Sequence, residues 1–288
     1  MKRDAGIVAT QFAEKLLRDR GITSLPVDPF VLAEAEGIAV QAKPDTAPGV
    51  SGLLMYVGSS FGIMYATHLK NDGYERFSVA HELGHYFLPG HIDAILADQA
   101  SVHKSRAGFV SDDPYEIEAD HFAAGLLMPD PMFRSALIKA DDGLAGIEHL
   151  AGLCRTSITS TAIRYTEKAT IPAAIIVSVG NSIDYCFMTT ALGDFKELQW
   201  LKKGMPLPRS VVTRSFNANS GNILNARRDE GDTNLQDWFG VKQSVEAREE
   251  VIGLGGYGKT LTVITCDTFA DELEEEEEIE ERLTPRWR

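Results

Sequence analysis

His81-Glu82-Leu83-Gly84-His85 is the stretch on which the reading turns, an H-E-x-x-H inside a longer run, Tyr74 to Leu88, with helical periodicity. Residues four apart lie about 40° apart around an α-helix, so both imidazoles leave one face and can grip one ion. Glu82 lies about 100° round from His81, beside such an ion rather than on it. A base must stand there to take a proton from a water that the ion activates. The run also carries Phe77, Val79, Leu83 and Phe87, and Pro89-Gly90 stops it.

A zinc ion used for hydrolysis usually keeps three protein ligands and one open position, so a third ligand is expected downstream. The candidates are His91, His103, Glu116, Glu118, Asp120 and His121. A helix starting near Asp113-Pro114 and stopping at Pro129 would place Glu116, Ala119, Asp120, Ala123 and Leu127 on one face. Two acids on an otherwise small, apolar stripe would be costly to bury without a cation. Glu116 is therefore the expected third ligand, and Asp120 the expected acceptor for the second ring nitrogen of a ligating histidine. Glu118 points to nearly the opposite side and reads as a solvated face charge. His91, His103 and His121 read as ordinary surface or polar-core histidines, with one of the three available to stabilise an oxyanion. Manganese is an alternative to zinc, because ligand types narrow the metal without fixing it.

Outward from this centre, 288 residues with 44% apolar and 24% charged composition suffice for one large or several small globular domains. Residues 4 to 20 read as an amphipathic helix, and a second starts where Asp28 caps and Pro29 occupies the first turn. Gly52 to Val57 and Gly62 to Thr67 read as a hairpin directly before the metal helix. Its second strand, Phe61 to Thr67, is the expected exposed edge for an extended peptide. Two short helical patterns, Ile147 to Leu153 and Ser157 to Glu167, follow the second site helix. Beyond about residue 171 the texture becomes strand-like at Ala173 to Val179, Ile183 to Met188, Val245 to Leu254 and Thr260 to Cys266. The expected class is α+β, with a separate α+β module after residue 171.

The formal charge is -14, but nine acids lie between Asp271 and Glu281, which leaves -5 for the rest. A generally basic nucleic-acid surface is excluded. Three widely spaced cysteines, Cys154, Cys186 and Cys266, cannot complete a disulfide framework and fit a reducing compartment, so the cytoplasm is expected. No apolar run is long enough for a signal core or a membrane span.

Three further stretches take plainer readings. Gly253 to Thr260 fits G-x-x-x-x-G-K-[ST], yet the β-branched Leu261 to Cys266 follows where a phosphate loop needs a helix, so a glycine-rich hairpin turn is expected. Leu150-Ala151 and Thr156-Ser157 resemble a helix-turn-helix, but Arg155 stands where a turn glycine is usual. Arg155, Arg164 and Lys168 form only a thin positive edge, so direct DNA binding is not expected. The acid run Glu274 to Glu278 reads as a disordered, solubilising tail.

Arg76 to Leu88 followed by Glu116-Ile117-Glu118-Ala119-Asp120-His121-Phe122-Ala123-Ala124-Gly125-Leu126-Leu127-Met128-Pro129 resembles the ImmA/IrrE family of zinc metallopeptidases. The upstream Ser51-Gly52-Leu53-Leu54 fits as well, whereas the family usually has Asn at the position of Asp120. The second block is also similar to the E-x-x-x-D helix of thermolysin-like zinc peptidases, which again makes Glu116 the ligand. The resemblance implies a zincin-like peptidase core over 1–140, a helix-turn-helix-like module over 141–170, a GAF-like domain over 171–268 and an acidic tail over 269–288. It also implies a substrate: a helix-turn-helix transcriptional repressor, cleaved to relieve repression after DNA damage or in mobile elements. The competing expectation is a DNA-binding transcription regulator or sensor that keeps the peptidase fold as a scaffold.

Overall fold

Two β-sheets, each with its own helices, organise the chain. The structure, a computed structural model, describes residues 2–43, 50–68, 70–96, 102–105 and 111–270. The acidic run expected as a tail, from residue 271 on, lies outside the described residues. The chain divides into two compact units, Met1–Lys139 with Glu148–Thr161, and Ala140–Ile147 with Ala162–Arg288. The helical stretch 141–170 is thus shared between them.

In the first unit, α1 (Lys2–Asp19) buries Ala9, Ala13 and Leu17, one face at a spacing of four. Asp28 accepts from the Phe30 amide and Pro29 fills the first turn of α2 (Pro29–Ala35), as its sequence requires. A four-stranded sheet follows from β1 (Ala39–Lys43), β2 (Gly52–Val57), β3 (Ser60–Ala66) and, later in the chain, β4 (Val102–Ser105). Its order is β1-β3-β2-β4, with β1 parallel to β3 and the other pairs antiparallel. β3 is therefore an interior strand, which corrects the expectation that Phe61 to Thr67 offers a free edge. The edges are β1 and β4.

Against β2 and β3 lies α3 (Asp72–Phe87), followed by the short α4 (His91–Leu96). Next come α5 (Pro114–Leu127), packed on α1 and α3, and α6 (Asp130–Leu137). α7 (Gly143–Cys154) and α8 (Ile158–Lys168) meet at Arg155, whose φ of 54° is the left-handed conformation that a turn glycine usually supplies. The Arg155 guanidinium closes a two-pronged pair with Asp72 at 3.2 and 3.1 Å.

The second unit carries β5 (Ala173–Val179), β6 (Ser182–Met188), β7 (Arg228–Asn234), β8 (Glu246–Gly253) and β9 (Thr260–Thr265). They form one antiparallel sheet in the order β6-β5-β9-β8-β7. Short helices α9 (Thr190–Gly193), α10 (Val212–Asn217), α11 (Ser220–Leu224) and α12 (Leu235–Phe239) are interleaved with the strands. Ile176, Ile183, Leu235, Trp238, Phe239 and Ile264 are among the residues of its principal core. Between β8 and β9 the glycine-rich stretch makes a single 3-10 turn, Gly255–Tyr257, and Lys259 pairs with Asp184 at 2.8 Å. A strand, not a helix, follows Lys259, as expected for a hairpin turn. Among the described residues no helix is long and apolar enough to cross a membrane.

Candidate metal centre

α3 starts where the Asn71 side chain accepts from the Tyr74 amide at 3.0 Å, with Asp72 and Glu75 in its first turn. Every residue from Arg76 to His85 is buried, so this helix crosses the interior and carries its polar groups with it. α5 is capped by Asp113, which accepts from the Tyr115 amide, and buries Glu116, Ala119, Asp120 and Ala123 along its inner face. The two helices come close because Gly84 leaves room: a Cβ there would stand 3.0 Å from Ala119 Cα and 3.2 Å from Ala119 O.

On the facing sides of α3 and α5 stand His81, His85 and Glu116, all buried. One ligand atom from each lies within 4.8 Å of the others, so the group could hold a metal ion. The two Nε2 atoms are 3.1 Å apart. Glu116 sets Oε1 at 3.2 Å from His85 Nε2 and Oε2 at 3.6 Å from His81 Nε2. His81 Nδ1 donates to Asp120 Oδ1 at 2.8 Å, which leaves its Nε2 for the centre. Helical periodicity alone assigns Glu116 and Asp120 to these positions.

Glu82 sits fully buried one residue along the helix, and neither carboxylate oxygen has a hydrogen-bond partner among the described residues. The buried Ser105 hydroxyl on β4 is the neutral polar group that faces it and helps to hold its pKa down, although the contact falls short of hydrogen-bond geometry among the described residues. Gly52 on β2 makes the space, since a Cβ there would fall 2.3 Å from Glu82 Oε1. Burial pushes the Glu82 carboxyl up to about 7, offset in part by the charge of His81.

The histidines diverge in the chain without an ion. Burial alone would lower His81, but hydrogen bonds to Asp120 and Glu116 raise it to about 10. Burial lowers His85 to about 3, and the neighbouring charge of His81 works in the same direction. Burial pushes Glu116 up, yet His103, His81 and His85 together hold it well below the usual carboxylate range. A divalent cation would compete with protons for these groups. Two imidazole nitrogens, a carboxylate and an orphaned buried base fit zinc and hydrolytic chemistry.

Three residues expected to stand apart from the centre belong to its neighbourhood. His103, on edge strand β4, donates from Nε2 to Glu116 Oε1 at 2.8 Å and is partly exposed. His91, fully buried, brings Nδ1 to 3.1 Å from His85 Nδ1. Glu118 is no free face charge: its Oε2 lies 3.1 Å from His91 Nε2. No helical periodicity connects β4 or the turn after α3 to the site, so spacing gave no signal for them. His121 packs elsewhere, against Gly6 of α1.

Fold and site define a chain with a candidate metal centre on an H-E-x-x-H helix, braced by a second helix against a four-stranded sheet. Residues 33–152 match the family model of the IrrE N-terminal-like domain, peptidase M78. All the centre's residues fall inside the matched stretch, and over that stretch the chain is similar to this domain. A solved structure of a Mycobacterium tuberculosis transcriptional regulator is similar at a TM-score of 0.56 and 16% identity, covering 90% of this chain and 76% of that one. At that identity the likeness is one of fold. Among the curated proteins, none matches the chain.

Proposed function

We propose that the protein is a zinc-dependent endopeptidase whose substrate is a helix-turn-helix transcriptional repressor, cut to relieve repression under stress or DNA damage or in mobile elements. The observation that carries the activity is Glu82: a fully buried carboxylate without a hydrogen-bond partner among the described residues, beside a His-His-Glu cluster. Leaving a buried carboxylate unbonded costs on the order of 1–3 kcal/mol or more, which a purely structural residue would not retain. His81, His85 and Glu116 would hold the ion, and Asp120 would orient His81. When bound, zinc supplies Lewis acidity and lowers the pKa of a water in the site. Glu82 takes a proton from the attacking water and returns it to the leaving amine.

The edge strand β4 lies next to this centre through His103 and Ser105, and it replaces Phe61 to Thr67 as the strand on which an extended peptide would pair. The antiparallel sheet and short helices of the second unit are compatible with a GAF-like sensing module, in which case a small ligand would set the activity. Purified protein incubated with candidate repressors, with and without a chelator, tests the reading by the masses of the fragments. One specific cut, lost on chelation and lost in Glu82→Gln, is the expected result. Cutting by Glu82→Gln at the wild-type rate would sink the mechanism.

A second reading, a DNA-binding regulator that keeps the fold as a scaffold, draws support from the fold likeness to a transcriptional regulator. The retained Glu82 speaks against it, because a scaffold has no use for a base there.

A further inference from the structure

His91 follows α3 immediately after the Pro89-Gly90 turn, and its backbone amide bonds back to Leu88 O at 3.3 Å. The turn folds the imidazole beneath His85, where it is fully buried and meets the Tyr115 ring edge-on at 4.9 Å between centroids. The two Nδ1 atoms, 3.1 Å apart, cannot both carry a proton and cannot both lack one if they are to bond. If His85 presents its Nε2 lone pair to an ion, its Nδ1 carries the hydrogen and donates. His91 Nδ1 must then accept, which makes His91 the Nε2-protonated tautomer. That N–H points at Glu118 Oε2, 3.1 Å away, and a carboxylate can only accept from it.

We propose that Glu118 and His91 form an orienting relay that fixes the tautomer of His85, so that a carboxylate outside the centre sets which nitrogen faces the ion. The inference rests on the metal-site reading above. Glu118, with 30% of its side chain exposed, and His91 are positioning residues, neither touching the reacting atoms. The arrangement parallels the bond from His81 to Asp120, with one imidazole interposed. Each ligating histidine is thereby held from behind: His81 directly by an acid of α5, His85 through His91 by another acid of the same helix. Both acids come from the α5 segment Glu116-Ile117-Glu118-Ala119-Asp120, so one helix supplies a ligand and the ends of both supports.

The test is metal affinity in the full chain, read by competition of Zn2+ with a chromophoric chelator. Partners of this kind commonly change affinity about 10–100-fold, so His91→Ala should weaken binding within that range and Glu118→Ala by about 10-fold. In a His91→Ala background, Glu118→Ala should have no further effect, because the link is already cut. Nitrogen NMR of 15N-histidine-labelled, zinc-loaded protein should show His85 protonated at Nδ1 and His91 at Nε2. Glu118 is partly exposed, so its variant should fold even where His91→Ala does not, and it decides the matter by itself. Wild-type affinity in Glu118→Ala would overturn the relay while leaving the metal site standing. An equal loss in both backgrounds would overturn it too, by showing that Glu118 acts otherwise than through His91. A wild-type chain that takes up no metal would overturn the relay and the metal-site reading together, whereas one that binds zinc with this pattern but cuts no repressor would sustain the relay and sink only the proposed substrate.

Discussion

The buried Glu82 carboxyl carries a cost whose sign can be worked out. The Glu82 carboxyl is raised from 4.5 to about 7 in the folded chain. A group that holds its proton more tightly when folded adds stability below its unfolded pKa, and that contribution is lost as pH rises through the folded value. Above neutral pH, at about 1.4 kcal/mol per unit, the ionised carboxylate costs up to about 3 kcal/mol. Glu82→Gln in metal-free protein should therefore melt higher than wild type at pH 8 and at nearly the same temperature at pH 5. Thermal denaturation at the two pH values measures it, and a gap that widened at pH 5 would show the carboxylate is not strained by burial. Gly52 has a complementary role. In Gly52→Ala the new methyl must displace Glu82 from its slot, so kcat should fall roughly 100-fold with bound zinc unchanged, since misplacement of about 1 Å can cost that much. Loss of zinc alongside activity would mean instead that β2 supports the ligands and not the base. At this scale the sequence was legible where the helix period alone links the residues. His81, Glu82, His85, Glu116 and Asp120 all lie on two helices whose faces can be drawn without coordinates. His91, His103 and Glu118 join through a turn, a strand edge and a contact between side chains, none of which has a period.

Among the elements, the α3–α5 contact governs how well the centre closes. Glycine inside a helix costs about 1 kcal/mol relative to alanine, so Gly84, between His81 and His85, calls for a reason. The backbone of Ala119 supplies it, leaving no room for a methyl without moving a helix. Gly84→Ala gains helix propensity but should lose more to overpacking, about 1–3 kcal/mol in all. It should also weaken zinc binding, because the histidines ride on α3 and Glu116 on α5. Melting temperature and chelator competition read the two effects separately, and a variant that bound zinc as wild type does would show that helix spacing is not what tunes the site. The strands divide by position. β2, β3, β5 and β9, all interior, are apolar enough to be read from the sequence, as is the edge strand β6, whereas interior β8 carries four charged residues in eight and shows itself through Val251-Ile252 and the apolar residues that flank it. β1, β4 and β7 are edges, short or polar, and Arg228 to Asn234 contains no large apolar residue at all. An edge strand is specified by its partner's free amides more than by its own side chains, and charged edges guard against unwanted pairing. The same logic misplaced the free edge of the sheet, since the hairpin partner of β2 could be read but the parallel β1 beyond it could not.

Over the whole molecule, the question is whether the chain also reads DNA. Neutralising several phosphates is what supplies affinity for a duplex, and a protein with 6–10 such contacts is a typical specific binder, as an order of magnitude. The helical pair that resembles a DNA-reading motif offers few cations: α7 has neither lysine nor arginine, and α8 has Arg164 and Lys168. Arg164 is buried and pairs with Glu167 at 2.7 Å. Arg155, at the turn, is bound to Asp72, although an exposed pair is worth only about 0.2–1 kcal/mol and would release the arginine to a stronger partner. The shortage of charge therefore decides the case more than the pairing does. The net charge of -14 opposes association with a polyanion further, and it does so at long range when salt is low. A gel shift with duplex DNA at about 50 mM salt, where phosphate contacts count most, should show no complex at protein concentrations of about 10 μM. Asp72→Ala, which frees Arg155, should not create one, because a single cation cannot replace several. A tight, sequence-dependent shift by the wild-type chain would favour the regulator reading, and loss of that shift in Arg155→Ala would trace it to the α7–α8 turn.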